Sequence, residues 1–170
     1  MMDFCDVLAK RHSIRAFLSK PVEQAKLNRI LEAANSAPSA GNLQAYEIFV
    51  IKDEAKKKAI AATARGQKFI ATAPVVLIFC AAPQRAREYG KRGETLYALQ
   101  DATIAAAFAW LAVVAEGLGA VWVGAFDDEA ALKVIGAKGL VPCAIMPIGY
   151  PAEKPERTER RGLGELVHEL

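Results

Sequence analysis

The chain has 170 residues, of which 53% are hydrophobic and 24% are charged, and its formal net charge at pH 7 is +3. That length is typical of one domain with its own core, and the composition excludes a largely disordered chain. Acidic and basic residues are interspersed along the sequence, so the chain lacks the one-sided basic surface that nucleic-acid binding requires.

The cysteines and the N-terminal segment indicate a reducing compartment. The three cysteines, Cys5, Cys80 and Cys143, lie far apart, and the histidines are only His12 and His168. We therefore expect neither a disulfide framework nor a metal site. MMDFCDVLAK carries acids where a secretory signal has a basic start, so no signal peptide is expected. The prediction is a cytoplasmic protein.

The first part of the chain is predicted to form two helices, a loop, a strand and a third helix. Apolar residues recur at helical spacing within residues 3–10 and again along VEQAKLNRILEAANSA, which predicts two helices. The cluster SAPSAGN predicts a loop, because Pro, Gly, Ser and Asn favour turns. YEIFVI follows as a predicted strand, and the Lys-rich residues 53–63 as a helix with a solvated face.

The second part is predicted to hold three strands and one long apolar helix. VVLIFCA, AVWVGAF and AIMPIGY are short apolar runs typical of buried strands. Residues 94–116 are predicted to form the longest helix, whose apolar run is shorter than the roughly 20 residues that span a bilayer. We therefore expect a core helix and no membrane association. Because this helix is apolar on nearly every side, it must be covered on every side. The elements predict a mixed α/β or α+β fold that forms a dimer.

The segment RHSIRAF is the first candidate binding site. It surrounds Ser13 with three basic side chains, those of Arg11, His12 and Arg15. Guanidinium groups fit phosphate oxygens, and a serine hydroxyl adds a donor between them. The alternative is a solvated basic surface, which is the more common fate of such a run. The arginine pair that begins at Arg160 is either surface charge or the other half of a phosphate site.

Two further segments hold groups that suit a ligand. In APSAGNLQ, Asn42 and Gln44 carry the donors and acceptors that a heterocycle with carbonyl and N–H groups needs. The same composition also favours a simple turn. In WVGAF, Gly124 interrupts an apolar strand, which marks either a bulge or a close approach of the backbone to a ligand.

The sequence contains no recognised catalytic motif. It has no GxSxG, no HExxH, no Walker loop and no GxGxxG followed by a ribose-binding acid. The chain therefore carries groups that hold a ligand without an obvious reacting group. That pattern is typical of a protein whose cofactor performs the chemistry.

Taken together, five segments resemble the nitroreductase family of flavoproteins over nearly the whole chain. In order, they are RHSIRAF, ILEAANSAPSAGNLQAYEIFVI, APVVLIF, QDATIAAAFAWLAVVAEGLGAVWVGAF and IGYPAEKP…ERRGLGELV. The resemblance implies an α+β three-layer sandwich with a central, mostly antiparallel sheet flanked by helices. Residues 1–170 would form a single FMN-binding domain in an intertwined homodimer, with the tail 151–170 packed on the partner subunit. FMN would lie at the subunit interface.

The resemblance also implies which positions contact FMN, and none of them is implied to be catalytic, because flavin N5 carries the chemistry. The positions for the phosphate and ribityl chain are Arg11, His12, Ser13, Arg15 and Arg160. Those for the loop that meets the flavin, partly from the partner, are Pro38, Ser39, Asn42 and Gln44. Those for the pyrimidine edge and for the backbone near N5 are Gln67, Lys68, Gly124 and Ala125.

The implied activity is an NAD(P)H-dependent FMN oxidoreductase that passes hydride by a ping-pong mechanism to nitroaromatics, quinones or related acceptors. One alternative is a dehalogenating, ene-reducing or flavin-fragmenting branch of the same family, and another is a flavin-binding module without turnover. Ala45 and Tyr46 stand where many relatives have Pro-Trp. The chain also lacks the longer insertions that shape the substrate pocket in larger members, so the acceptor stays open.

Overall fold

The computed structural model describes residues 2–156 and 158–170. Met1 and Arg157, which fall within the predicted domain, lie outside the described residues. The helices are α1 (Phe4–Lys10), α2 (Gln24–Asn35), α3 (Glu54–Thr63), α4 (Lys68–Thr72), α5 (Gly90–Arg92), α6 (Ala98–Ala115) and α7 (Asp128–Ile135). The strands are β1 (Tyr46–Ile51), β2 (Val75–Ala81), β3 (Gly119–Ala120) and β4 (Val141–Gly149).

The sheet is antiparallel and covered by helices on both faces. Within the described residues its strand order is β1-β2-β4-β3, and every pair of neighbours is antiparallel. Successive side chains of a strand point to opposite faces, and β2 divides accordingly. Leu77 and Phe79 pack with α2 and α6, whereas Val76 and Ile78 pack with α3, α4 and α7. The predicted α+β class, with an antiparallel sheet between helical layers, is confirmed.

The predicted strand AVWVGAF is shorter than expected. Only Gly119–Ala120 pairs regularly with β4, and the pairing resumes for one residue where Val123 and Ile145 exchange both backbone hydrogen bonds, at 2.9 and 3.0 Å. In the same register Val121 faces Pro147, which has no N–H to donate. The ladder is therefore interrupted at the position where Pro147 should have donated a bond.

The long helix α6 is the centre of one helical layer. Length and composition alone would allow the helical run Pro83–Ala115 to cross a membrane. Instead, small residues bring α6 close to the sheet, and Ala102, Ala105 and Ala109 are completely buried. Leu99 and Phe108, nine residues apart and so on opposite edges of the buried face, remain 39% and 38% exposed. The helix is thus a core helix, as predicted, with apolar side chains that this single chain leaves partly uncovered.

The connection before α6 contains structure that the sequence patterns did not indicate. A 3₁₀ helix, Pro83–Tyr89, leads into α5 and then into a π-helical turn, Gly93–Tyr97. Gly93 is required there, because a Cβ atom would lie 2.1 Å from the carbonyl oxygen of Ala86. The predicted start of the long helix at residue 94 therefore falls inside this turn.

Candidate functional site

The segment RHSIR is held against the end of the sheet. Helix α1 ends at its C-cap residue Arg11, whose N–H donates to the carbonyl of Val7 at 3.0 Å. Ser13 then forms a parallel bridge with Ala120, and the N–H of Ile14 donates to the Ala120 carbonyl at 2.9 Å. Because Ile14 is buried, its neighbours Ser13 and Arg15 are directed away from the core.

The C-terminal segment reaches the same place by running beside residues 16–18. The N–H of Ala152 donates to Ala16, and the N–H of Leu18 donates to Tyr150, each at 2.9 Å. The carboxylate of Glu153 accepts from the backbone N–H groups of Arg15 and Ala16. This pairing carries the chain onward to Arg160.

These segments enclose a cavity of about 440 Å³, which we call the arginine cavity. The predicted phosphate and ribityl contacts that line it are Arg11, His12, Ser13, Arg15 and Arg160. The structure therefore brings together all five residues of this set, although Arg160 is far from the others in sequence. Trp110 of α6 and the side chain of Glu156 also line the cavity.

The arginine cavity has the electrostatics of an anion site. The pKa of Arg11 is lowered, first by burial and then by the positive charge of Arg160. Among the described residues, no side-chain acceptor pairs with the guanidinium groups of Arg11, Arg15 or Arg160, and Arg15 is engaged only through its backbone N–H. Glu156 supplies one negative charge against three positive ones. Like charges are crowded here, so an anion with several oxygens relieves their repulsion.

The loop from Ser39 to Ala45, the second predicted ligand segment, has a strained backbone. Asn42 and Gln44 have φ values of 58° and 44°, in the left-handed region that non-glycine residues rarely adopt. The Ser39 hydroxyl accepts from the N–H of Gln44 at 3.0 Å, and the Gln44 side-chain amide donates to Asn42 Oδ1 at 2.7 Å. Such strain persists only where neighbouring groups hold it, and it is common at ligand sites.

Asp101 holds this loop, a role that its sequence context did not indicate. Its carboxylate is 2% exposed, and it accepts from the N–H groups of Ala40 at 2.9 Å and Ala45 at 3.2 Å. Burial, followed by the charge of Asp101, raises the pKa of Tyr46. The sequence showed Asp101 only as a lone acid at the start of an apolar helix. An acid at that position is also common at ordinary helix ends.

The segment before α6 supports the loop from outside. Gly41, at φ 54°, approaches Tyr89 so closely that a Cβ atom would lie 2.2 Å from the tyrosine hydroxyl. Arg85 Nε donates to the carbonyl of Leu43 at 3.3 Å. The loop is therefore packed between α6 and the 3₁₀ helix that follows β2.

Pro38 and Ser39 line a second cavity, of about 530 Å³, against α6. Leu99 and Ile104 form its apolar side. None of the arginine-cavity residues lines it. Within the described part of one chain, Pro38 and Ser39 thus lie in a different cavity from the basic residues, and Asn42 and Gln44 line neither of the two.

The remaining predicted contacts line neither cavity. Gln67 precedes α4, and its side-chain amide donates to the carbonyl of Ala64 at 3.0 Å. Lys68, Gly124 and Ala125 are exposed. The segment after Ala125 is tied to α3 through the N–H of Asp127, which donates to Thr63 at 2.9 Å.

No metal cluster is found among residues 2–156 and 158–170, and two of the three thiols are kept protonated by burial. No group of three or more His, Cys, Asp or Glu side chains is arranged to hold an ion there. Burial raises the pKa values of Cys80 and Cys143 to about 12, so both thiols stay protonated at neutral pH.

The sequence and the fold are both similar to those of known proteins. A family model described as the nitroreductase family matches residues 8–67 and 61–150. A protein of Thermus thermophilus named NADH dehydrogenase is 32% identical, with 98% of this chain and 96% of that protein covered. A Bacillus subtilis protein named FMN reductase [NAD(P)H] is 33% identical, with 90% of this chain and 68% of that protein covered.

Among solved structures, nitroreductase A from Vibrio parahaemolyticus superposes with a TM-score of 0.91 at 27% sequence identity. The superposition covers 99% of this chain and 76% of that chain. The larger protein therefore contains the whole fold seen here together with additional segments.

Proposed function

This chain belongs to the nitroreductase family, and on that premise we propose that it uses FMN to carry electrons from NADH or NADPH to nitroaromatic, quinone or related acceptors. FMN, held by the residues that line the arginine cavity, would supply the ping-pong hydride transfer between the nicotinamide and the acceptor. The chain's own residues bind and orient the reactants.

The observation that carries this proposal is the arginine cavity. Arg11, Arg15 and Arg160 lack an anionic partner of matching charge, which fits the dianionic phosphate of FMN. Ser13 offers a neutral donor among them. Riboflavin, which has no phosphate, leaves the guanidinium groups unpaired and is expected to bind more weakly.

We also propose that the functional unit is a homodimer. The loop residues Pro38 and Ser39 and the basic residues lie in separate cavities of one chain, so one flavin meets both sets if the partner supplies the loop. The uncovered apolar residues Leu99 and Phe108 support an interface along α6. Exposed apolar residues of the tail, such as Leu163, support its packing on the partner.

The flavin ring is proposed to lie near Lys68, Gly124 and Ala125, which are exposed, and near Gln67, which is half-buried. Lys68 would favour negative charge near the pyrimidine edge. No side chain is proposed as an indispensable acid or base.

The first experiment is a visible spectrum of the purified protein before and after anaerobic NADH or NADPH. We expect a flavin spectrum that is bleached by the nicotinamide and restored by a quinone or nitroaromatic. A flavin spectrum that neither nicotinamide bleaches would favour the module without turnover. Release of halide or of ribose fragments would favour another branch of the family.

The second experiment tests the phosphate site with Arg15→Ala. A hydrogen bond between charged groups contributes roughly 1.5–3 kcal/mol, so FMN should bind about one to two orders of magnitude more weakly. Arg29→Ala is the control, because Arg29 lies outside the cavity and pairs with Glu116 at 2.7 Å. Equal FMN affinity in wild type and Arg15→Ala would refute the assignment.

A further inference from the structure

The arginine cavity contains a tryptophan with an unpaired donor. Trp110 of α6 lines the cavity together with Arg11 and Arg160. Its indole Nε1 is fully buried and has no hydrogen-bond partner among the described residues. A buried tryptophan N–H normally finds an acceptor, because leaving it unpaired is costly. This donor therefore needs an acceptor that residues 2–156 and 158–170 do not supply.

The neighbouring guanidinium groups cannot meet that need. Arginine side chains only donate, so Arg11, Arg15 and Arg160 add further donors to the same space. The cavity as a whole has an excess of donors over engaged acceptors. A phosphate group, which only accepts when fully ionised, matches that excess.

The face of the Trp110 ring contacts the guanidinium group of Arg11. The Cζ atom of Arg11 lies 4.6 Å from the ring centroid, a cation–π geometry. Arg160 repels Arg11, and this repulsion contributes to the lowered pKa of Arg11. The ring therefore holds the guanidinium in the cavity against that repulsion.

We propose that Trp110 is a phosphate-binding residue. Its indole N–H donates to a phosphate oxygen of FMN, while its ring positions Arg11 for the same group. The inference rests on the proposed function and adds to it a residue on α6, an element that otherwise contributes no donor to this group.

Two substitutions separate the two tasks. Trp110→Phe keeps an aromatic face and removes the N–H, so FMN should bind roughly tenfold more weakly. Riboflavin affinity should be unchanged in the same variant, because riboflavin lacks the phosphate. Trp110→Leu removes the face as well, and its loss of FMN affinity should exceed that of Trp110→Phe. Sedimentation of each variant checks that the assembly is intact.

A direct readout on the wild-type protein does not depend on any variant binding FMN. The chain has two tryptophans, so its two indole N–H signals in a ¹⁵N NMR spectrum are assigned with Trp110→Phe and Trp122→Phe. Adding FMN, or inorganic phosphate to the cofactor-free protein, should shift the Trp110 signal. Riboflavin should leave it nearly unchanged.

The outcomes distinguish this inference from the proposed function. A Trp110 N–H signal that neither FMN nor phosphate shifts would overturn the inference. So would wild-type-like FMN affinity in Trp110→Phe. In both cases the proposed function stands, provided that the wild-type protein binds FMN and is bleached by NAD(P)H. Absence of FMN binding in the wild-type protein would overturn both.

Discussion

The buried carboxylate of Asp101 gives the sharpest test of how the loop is held. Asp101→Asn preserves size but replaces one carboxylate oxygen by an NH₂ group. In the structure the two oxygens accept from Ala40 and Ala45, at 2.9 and 3.2 Å. In the variant one of these N–H groups faces a donor, and the other bonds to a neutral oxygen. Losing one hydrogen bond to a charged group and weakening the second should lower the free energy of unfolding by about 2–4 kcal/mol.

Urea unfolding of the cofactor-free protein, followed by circular dichroism at one fixed protein concentration, measures this change. Limited proteolysis should show faster cleavage between residues 39 and 45, because the strained loop loses its anchor. Asp127→Asn is the matched control. Asp127 caps α7 by accepting from the N–H of Ala130 at 2.9 Å, and asparagine caps a helix as well as aspartate does. The control should change by less than about 0.5 kcal/mol.

The reasoning is refuted if Asp101→Asn is as stable as Asp127→Asn and its loop is cleaved no faster than in wild type. That result would mean that the loop keeps its shape through Ser39 and Tyr89 alone. A loss of stability without faster loop cleavage would place the effect elsewhere in α6.

Three further predictions concern assembly, thiols and catalysis. The 18.3-kDa chain should sediment as a dimer with an interface of at least about 2,000 Å². Phe108→Glu should release flavin-free monomers, whereas a flavin-loaded wild-type monomer would contradict the prediction. At pH 8 a thiol reagent should label the exposed Cys5 but not Cys80 or Cys143, whose pKa values are raised to about 12. Those folded-state pKa values lie above the ordinary 9.0. The stability that these two thiols contribute is therefore complete below about pH 9 and is lost as the pH rises towards 12. Labelling of all three thiols in the native protein would be inconsistent with this burial. Single alanine substitutions of His12, Ser39, Asn42, Gln44, Tyr46 and Lys68, measured by stopped flow in FMN-saturated protein, should slow each half-reaction less than about 10²-fold, and a loss above about 10³-fold in the oxidative half-reaction alone would reveal a proton donor.

Local sequence patterns were sufficient for most elements. VVLIFCA was predicted as a buried strand, and Val75–Ala81 is that strand. The periodic apolar residues of α2 and the long apolar run of α6 predicted helices that the structure contains. These predictions succeed because the length and spacing of apolar residues reflect how an element is buried. The RHSIR segment was also visible as a set of phosphate-suited side chains before any fold was known.

Features that depend on distant segments were decided only by the tertiary structure. The strand around Val121 is interrupted because the register of β4 sets Pro147 opposite it, and no local pattern reports that register. Asp101 acts on Ala40, which lies 61 residues away in sequence. In the sequence, Trp110 is indistinguishable from the other apolar residues of the core helix, and only the position of α6 shows that its ring contacts Arg11. Sequence spacing therefore predicted which elements form, whereas packing between elements decided which side chains share a cavity.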